Sequence, residues 1–164
     1  MIKSYSKINL FLKVLKKKSN GMHDIQSSVM LLDLYDRINI KSISKKQDEI
    51  KFTGRFRKNI NVKNNTISKS LNLLRKYQLI SQEIRYRIII DKKIPVFAGL
   101  GGGTSNAVFL IKYFLKNRIN KKLLTIFEKN IGSDFRLFFN KHSFQKSLKK
   151  IIEYKKKYTF YFIL

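Results

Sequence analysis

The chain has 164 residues, 43% of them hydrophobic, which is enough for one domain with an ordinary core. It contains no Cys and two His, so a disulfide framework, a thiolate metal site and, for practical purposes, a zinc enzyme are excluded. A net charge of +26 invites a polyanionic partner, but Lys and Arg are spread through every segment, as at Lys16–Lys18, Lys92–Lys93 and Lys121–Lys122. With Lys, Asn, Ile, Phe and Tyr all plentiful and one Pro, that spread reads first as the bias of an AT-rich genome with solvated lysines.

The first residues are polar and then alternate, with no long apolar region of a secretion signal. The longest uncharged apolar run, Tyr158 to Leu164, is too short to span a bilayer. The expectation is a soluble cytoplasmic protein.

From Ser4 to Leu15, Ile8, Leu10, Leu12 and Val14 alternate with Lys7, Asn9, Phe11 and Lys13, the pattern of a half-buried strand. Asn20-Gly21 marks a turn. Further strands are expected at 25–32, 37–43 and 50–53, close enough together to predict an antiparallel sheet. Asn65 or Thr66 can cap a helix carrying Ile67, Leu71, Leu74 and Tyr77 on one side. A buried strand follows at Tyr86–Ile90.

Next comes PVFAGLGGGTS, Pro95 to Ser105, which holds four of the seven glycines: Gly99, Gly101, Gly102 and Gly103. Glycines let the backbone take positive φ and approach an anion closely. After them Ala107, Leu110, Ile111, Phe114 and Leu115 form one helical stripe. Strand, glycine loop and helix in that order aim backbone N–H groups and a helix N-terminus at one point, where phosphate binds. A plain flexible connector is the alternative, though it needs neither the glycine density nor the hydroxyls of Thr104 and Ser105. No Lys follows the glycines as in a Walker A loop, and the spacing departs from the dinucleotide fingerprint. By itself the loop says nucleotide or phosphate.

A further helix is expected over 121–129, then a break at Gly132, an apolar run Phe135–Phe139, a basic stretch, and a strand-like end at Tyr158–Leu164. That end is either an edge strand or the point beyond which more chain once followed. Strands first and helices mixed in later predict an α+β domain with helices on one face of a mixed or antiparallel sheet.

Three stretches together resemble the GHMP kinase superfamily: SKINLFLKV at Ser6–Val14 with Gly21-Met22-His23, IPVFAGLGGGTSNA at Ile94–Ala107, and IGSDFRLFF at Ile131–Phe139. Within the superfamily, the first stretch is similar to the branch whose substrate is a cytidine diphosphate derivative of methylerythritol. The resemblance implies a GHMP kinase N-terminal domain, related to a ribosomal-protein fold and containing a left-handed βαβ crossover. It also implies an ATP-dependent kinase of a small-molecule alcohol, with Mg²⁺ accompanying ATP. No acidic cluster marks a metal site.

Residue by residue, the resemblance implies that Lys7 and Asp134 are the catalytic pair, and that Asn9, Met22 and His23 bind substrate. It implies that Pro95, Ala98, Gly99, Leu100, Gly101, Gly102, Gly103, Thr104 and Ser105 bind ATP. Asp134 would accept the proton of the attacking hydroxyl, and Lys7 would stabilise charge on the transferring group. Read without the resemblance, Lys7 could be a surface lysine, Asp134 a helix cap and His23 a turn residue.

Met22 stands where the branch has a Tyr, Arg136 where it has Pro, and Ser147–Lys150 where it has a glycine-rich segment. The superfamily also has a second, C-terminal domain that closes the substrate cleft. The chain is therefore expected to be truncated and to turn over poorly alone. Two further readings stay open: another GHMP kinase with a different alcohol, and a basic RNA-binding module on a related α+β fold. No membrane partner is expected.

Overall fold

One long strand, β2 (His23–Ile43), sets the register of the sheet. The computed structural model describes residues 1–17, 23–58, 60–62, 64–147, 150–154 and 159–163. Along one edge of β2 runs β1 (Ile2–Lys17), antiparallel, with Ile2 opposite Ile38 and Lys17 opposite His23. The other edge is shared: β4 (Arg85–Asp91) pairs with residues 37–43, and β5 (His142–Gln145) with residues 27–30, both antiparallel. β3 (Glu49–Thr53) lies outside β4, and β6 (Ile151–Glu153) outside β5.

The two strands expected at 25–32 and 37–43 are thus one. Tyr5 pairs with Tyr35 but Lys7 with Leu31, so residues 32–34 of β2 bulge where a break was expected. No Gly, Pro or Asn stands there to turn the chain. The expected mixed or antiparallel sheet is mixed, and of the strands read as antiparallel neighbours the one at 50–53 departs from that pattern. β3 and β4 run parallel because the chain between them passes through a helix, α1 (Thr66–Lys76). β5 and β6 were not foreseen, and residues 159–163, expected to be strand-like, form no strand.

Asn65 caps α1, its side chain accepting from the N–H groups of Ile67 (2.9 Å) and Ser68 (3.0 Å), while Ser68 Oγ accepts from the Asn65 N–H (3.1 Å). Ile67 and Leu71 of α1 pack with Ile88 and Ile90 of β4 and Ile38 of β2, joined by Leu110 of α2 (Gly102–Phe114). Expected as the last residue of the α1 stripe, Tyr77 instead ends the helix and is exposed. A second cluster unites Leu74 of α1, Val108 and Ile111 of α2, Phe127 of α3 (Lys121–Ile131), and Phe135 and Phe138 of a 3₁₀ segment, Ser133–Phe139. Each such side chain contributes about 1.5–3 kcal/mol by leaving water. α2 enters both clusters through Val108, Leu110 and Ile111, which anchors the helix behind its first turn. The result is an α+β domain built on a mixed sheet.

Candidate active site

Lys7 lies where β1 meets the glycine loop. Its backbone N–H donates to the Leu100 carbonyl at 3.0 Å. Its ammonium stands 3.6 Å from Asp134 Oδ2 and donates to Asn9 Oδ1 at 2.5 Å. Asn9 of β1 and Asp134 of the 3₁₀ segment therefore meet at the Lys7 ammonium, while the loop holds the Lys7 backbone. Lys7 is buried, whereas the Asp134 side chain keeps 38% of its surface open. At 3.6 Å the ion pair leaves carboxylate lone pairs free to take a donor from outside.

Asp134 is held from below by Phe135 and Phe138 in the core. Arg136 fixes the same segment to α3, its Nε donating to Glu128 Oε2 (2.8 Å) and a terminal nitrogen to Thr125 Oγ1 (3.3 Å). An anchor thus occupies the position where the resemblance had Pro.

Gly101 opens α2 with φ of 70°. A Cβ there would stand 2.7 Å from Phe138 Cζ and 3.3 Å from Lys7 Cγ, so both conformation and space demand glycine. Beyond it, the N–H groups of Gly102, Gly103 and Thr104 have no partner within the helix, and no side chain caps them. The Thr66 hydroxyl donates to the Gly103 carbonyl at 2.7 Å and joins α1 to the loop.

The loop borders a cavity of about 500 Å³. Pro95, Ala98, Gly99, Leu100, Gly101, Gly102, Gly103 and Thr104 all line it. Ser105 does not. Its N–H donates to the Gly101 carbonyl at 2.9 Å, and its hydroxyl bonds to the Tyr5 carbonyl and, at 2.7 Å, to Ser4 Oγ. Ser105 is a buried tie between helix and β1 rather than a ligand-facing donor.

Sequence reasoning missed the support beneath the loop. Asp36, fully buried, accepts from Lys92 Nζ and from the backbone N–H groups of Lys93 (2.7 Å) and Ile94 (2.9 Å). Lys92, read as one of a solvated pair, is buried and lines the cavity, with Nζ 3.4 Å from where a Gly102 Cβ would be. An aspartate inside an apolar strand was the only signal available. Phe97 was missed as well: it lines the cavity, 91% exposed, with φ of 62°.

The remaining expected residues lie apart. His23 opens β2 opposite Lys17, six residues from Val29, the partner of Asn9, or about 20 Å of extended strand. Met22 and the Asn20-Gly21 turn fall outside the described residues, as do Leu148 and Lys149. A second cavity, of about 560 Å³, borders Tyr5, Phe109 and Lys112, whose ammonium lies over the Phe109 and Phe139 rings. Burial pushes the Lys112 pKa down. None of the expected site residues lines it.

A mixed sheet whose first long strand brings a lysine to a glycine loop, with an aspartate set behind, defines a fold class. Residues 65–134 match the family described as GHMP kinases N terminal domain, and the chain belongs to that family. Among relatives it is 45% identical over 120 residues to the 4-diphosphocytidyl-2-C-methyl-D-erythritol kinase of Pelagibacter ubique, covering 73% of this chain and 42% of that protein. It is 36% identical over 139 residues to the same-named kinase of Thermosipho melanesiensis, covering 84% of this chain and 48% of that protein. A crystal structure of 4-(cytidine 5'-diphospho)-2C-methyl-D-erythritol kinase shares the fold, with a TM-score of 0.61 at 23% identity, over 83% of this chain and 47% of that one. The chain spans about half the length of the relatives it matches.

Proposed function

We propose that the chain is the ATP-binding domain, over residues 1–164, of a kinase that phosphorylates the 2-hydroxyl of 4-diphosphocytidyl-2-C-methyl-D-erythritol in non-mevalonate isoprenoid synthesis. The observation that carries this is the convergence of Lys7, Asp134 and the glycine loop, with 3.6 Å between the two charged groups. Phosphoryl transfer asks for positioning and charge neutralisation, and each is supplied by a group already named. The amides of Gly102, Gly103 and Thr104 hold the phosphates of ATP. Asp134 takes the proton of the attacking hydroxyl through its open oxygen. Lys7, fixed by Asn9 and Leu100, stabilises the charge that develops on the transferred group. The substrate class rests on the relatives of that name.

ATP fits the loop by chemistry: partnerless N–H groups line the same cavity as apolar Phe52, Ile60 and Val96, which suit a base. Among the described residues no group of three or more His, Asp or Glu side chains gathers to cage an ion. Mg²⁺ needs no such cage, since it is usually held by one or two side chains together with substrate phosphates. Asp134 is the carboxylate at hand, and the ion would neutralise phosphate charge there. We place the reaction in the cytoplasm, where ATP is available; no helix among the described residues is long and apolar enough to cross a membrane.

One observation favours a second reading. Met22 offers a thioether where the resemblance has an aromatic ring, so a different alcohol within the same superfamily stays in view. The RNA-binding reading is not favoured: exposed lysines are distributed over β1, β2, β3, α1 and α3, as at Lys13, Lys41, Lys51, Lys76 and Lys121.

The test is phosphorus NMR of the chain with Mg·ATP and the cytidyl substrate. A phosphomonoester should appear together with ADP, and Asp134→Asn should abolish it. ATP consumption with the alcohol left unmodified, unaltered by Asp134→Asn, contradicts the proposal.

A further inference from the structure

We infer that Ser27 is a positioning residue for Lys7, acting through Asn9. The Asn9 side chain bridges the two: Lys7 Nζ donates to its Oδ1 at 2.5 Å, and its Nδ2 donates to Ser27 Oγ at 2.7 Å. Ser27 Oγ in turn donates to the Phe11 carbonyl at 2.6 Å. The direction of this chain is forced. A carbonyl only accepts, so the single hydroxyl proton of Ser27 goes to Phe11. Ser27 Oγ must then accept from Asn9, which commits the NH₂ group to Ser27 and leaves only the amide oxygen facing the ammonium. A flipped amide would set two donors against each other across the same short gap.

The Phe11 carbonyl is available because β1 is irregular there. Asn9 pairs with Val29 but Phe11 pairs with Ser28, so one extra residue, Leu10, is inserted on β1. A bulge of this kind leaves ladder groups unpaired. Ser27, opposite Leu12 and fully buried, reaches across to the freed oxygen. Bulge, serine and asparagine together aim Lys7 at Asp134. That alignment matters to phosphoryl transfer only under the function proposed above, but the hydrogen-bonded chain exists in the nucleotide-free protein and is tested there.

The experiment follows the Asn9 side-chain amide and the Lys7 ε-methylene by NMR in the labelled, nucleotide-free chain. The amide protons should exchange slowly with water. In Ser27→Ala they should exchange at least tenfold faster and the Lys7 signal should move, while Ser27→Thr, which keeps a hydroxyl, should restore both. Ser27→Cys fills the space without a comparable acceptor and should behave as Ala does, which covers the case where the alanine variant folds poorly. If Ser27→Ala and Ser27→Cys leave the Asn9 amide protected and Lys7 unmoved, or if Thr fails to restore them, the inference is wrong. A parallel Mg·ATP titration of the unaltered chain separates the two ideas: loop amides that ignore nucleotide count against the kinase reading and leave the Ser27 result standing.

Discussion

The backbone N–H of Lys7 donates to the carbonyl of Leu100 across 3.0 Å, so the residue that faces Asp134 is also the one that pins the glycine loop to the sheet. The two roles use different atoms and can be separated. Lys7→Met keeps the backbone tie and removes the ammonium. In phosphate-transfer assays the rate should fall by about 10²–10³, the usual loss when one electrostatic stabiliser is removed. Nucleotide affinity, measured by calorimetry, should change less than the rate does.

Gly99 and Gly101 take nearly the same left-handed conformation, with φ of 73° and 70°, in different surroundings. Alanine at 99 meets nothing within 4 Å, while at 101 it meets Phe138 and Lys7. Gly99→Ala should lose only the backbone preference, about 1–2 kcal/mol. Gly101→Ala should lose more than that and should displace the Lys7 side chain as well. Urea denaturation of the two variants side by side reads the difference.

The Asp36–Lys92 pair should dominate loop stability. Asp36→Asn keeps an oxygen for the N–H groups of Lys93 and Ile94 but leaves the buried Lys92 ammonium without its countercharge. Breaking one partner of such a pair typically costs about 3–5 kcal/mol. A midpoint shift well below 1 kcal/mol in urea would show that water reaches Lys92.

Burial pushes the His142 pKa below its ordinary 6.5. The ring sits on Tyr154, with centroids 4.4 Å apart, and Nε2 lies 3.2 Å from Ser28 Oγ. As pH falls through 6.5 the unfolded chain takes up this proton before the folded one does, so stability declines until the lower folded pKa is passed. Above 6.5 the residue contributes no slope. Thermal melts between pH 7.5 and 5 should show that decline, and His142→Gln should flatten its share of it.

How much of this was readable beforehand depends on whether a residue's partner is near in sequence. The Asn65 cap, the glycine loop and the α2 stripe are local patterns, and each lies where the spacing placed it. Lys7 and Asp134 came from the resemblance; without it Lys7 read as a surface lysine and Asp134 as a helix cap. The β2 bulge fell where two strands were expected to part, since alternation fails at a bulge just as it does at a turn. Asp36 and Lys92 lie 56 positions apart, and Ser4 and Ser105 lie 101 apart. Neither separation leaves a local trace, and a buried lysine is written with the same letter as a solvated one. The β5 strand has four residues, too few for alternation to stand out from the basic stretch around it.

The glycine loop and the Lys7–Asp134 pair are proposed to form a single phosphate-handling site. That proposal is tested most directly by titrating Mg·ATP into isotopically labelled chain and mapping the backbone amide shifts. The largest changes should fall at Gly102, Gly103 and Thr104, smaller ones at Lys7 and Asp134, and little along β6. Saturable binding that shifts the second cavity around Tyr5, Phe109 and Lys112, and leaves the loop amides still, would contradict it.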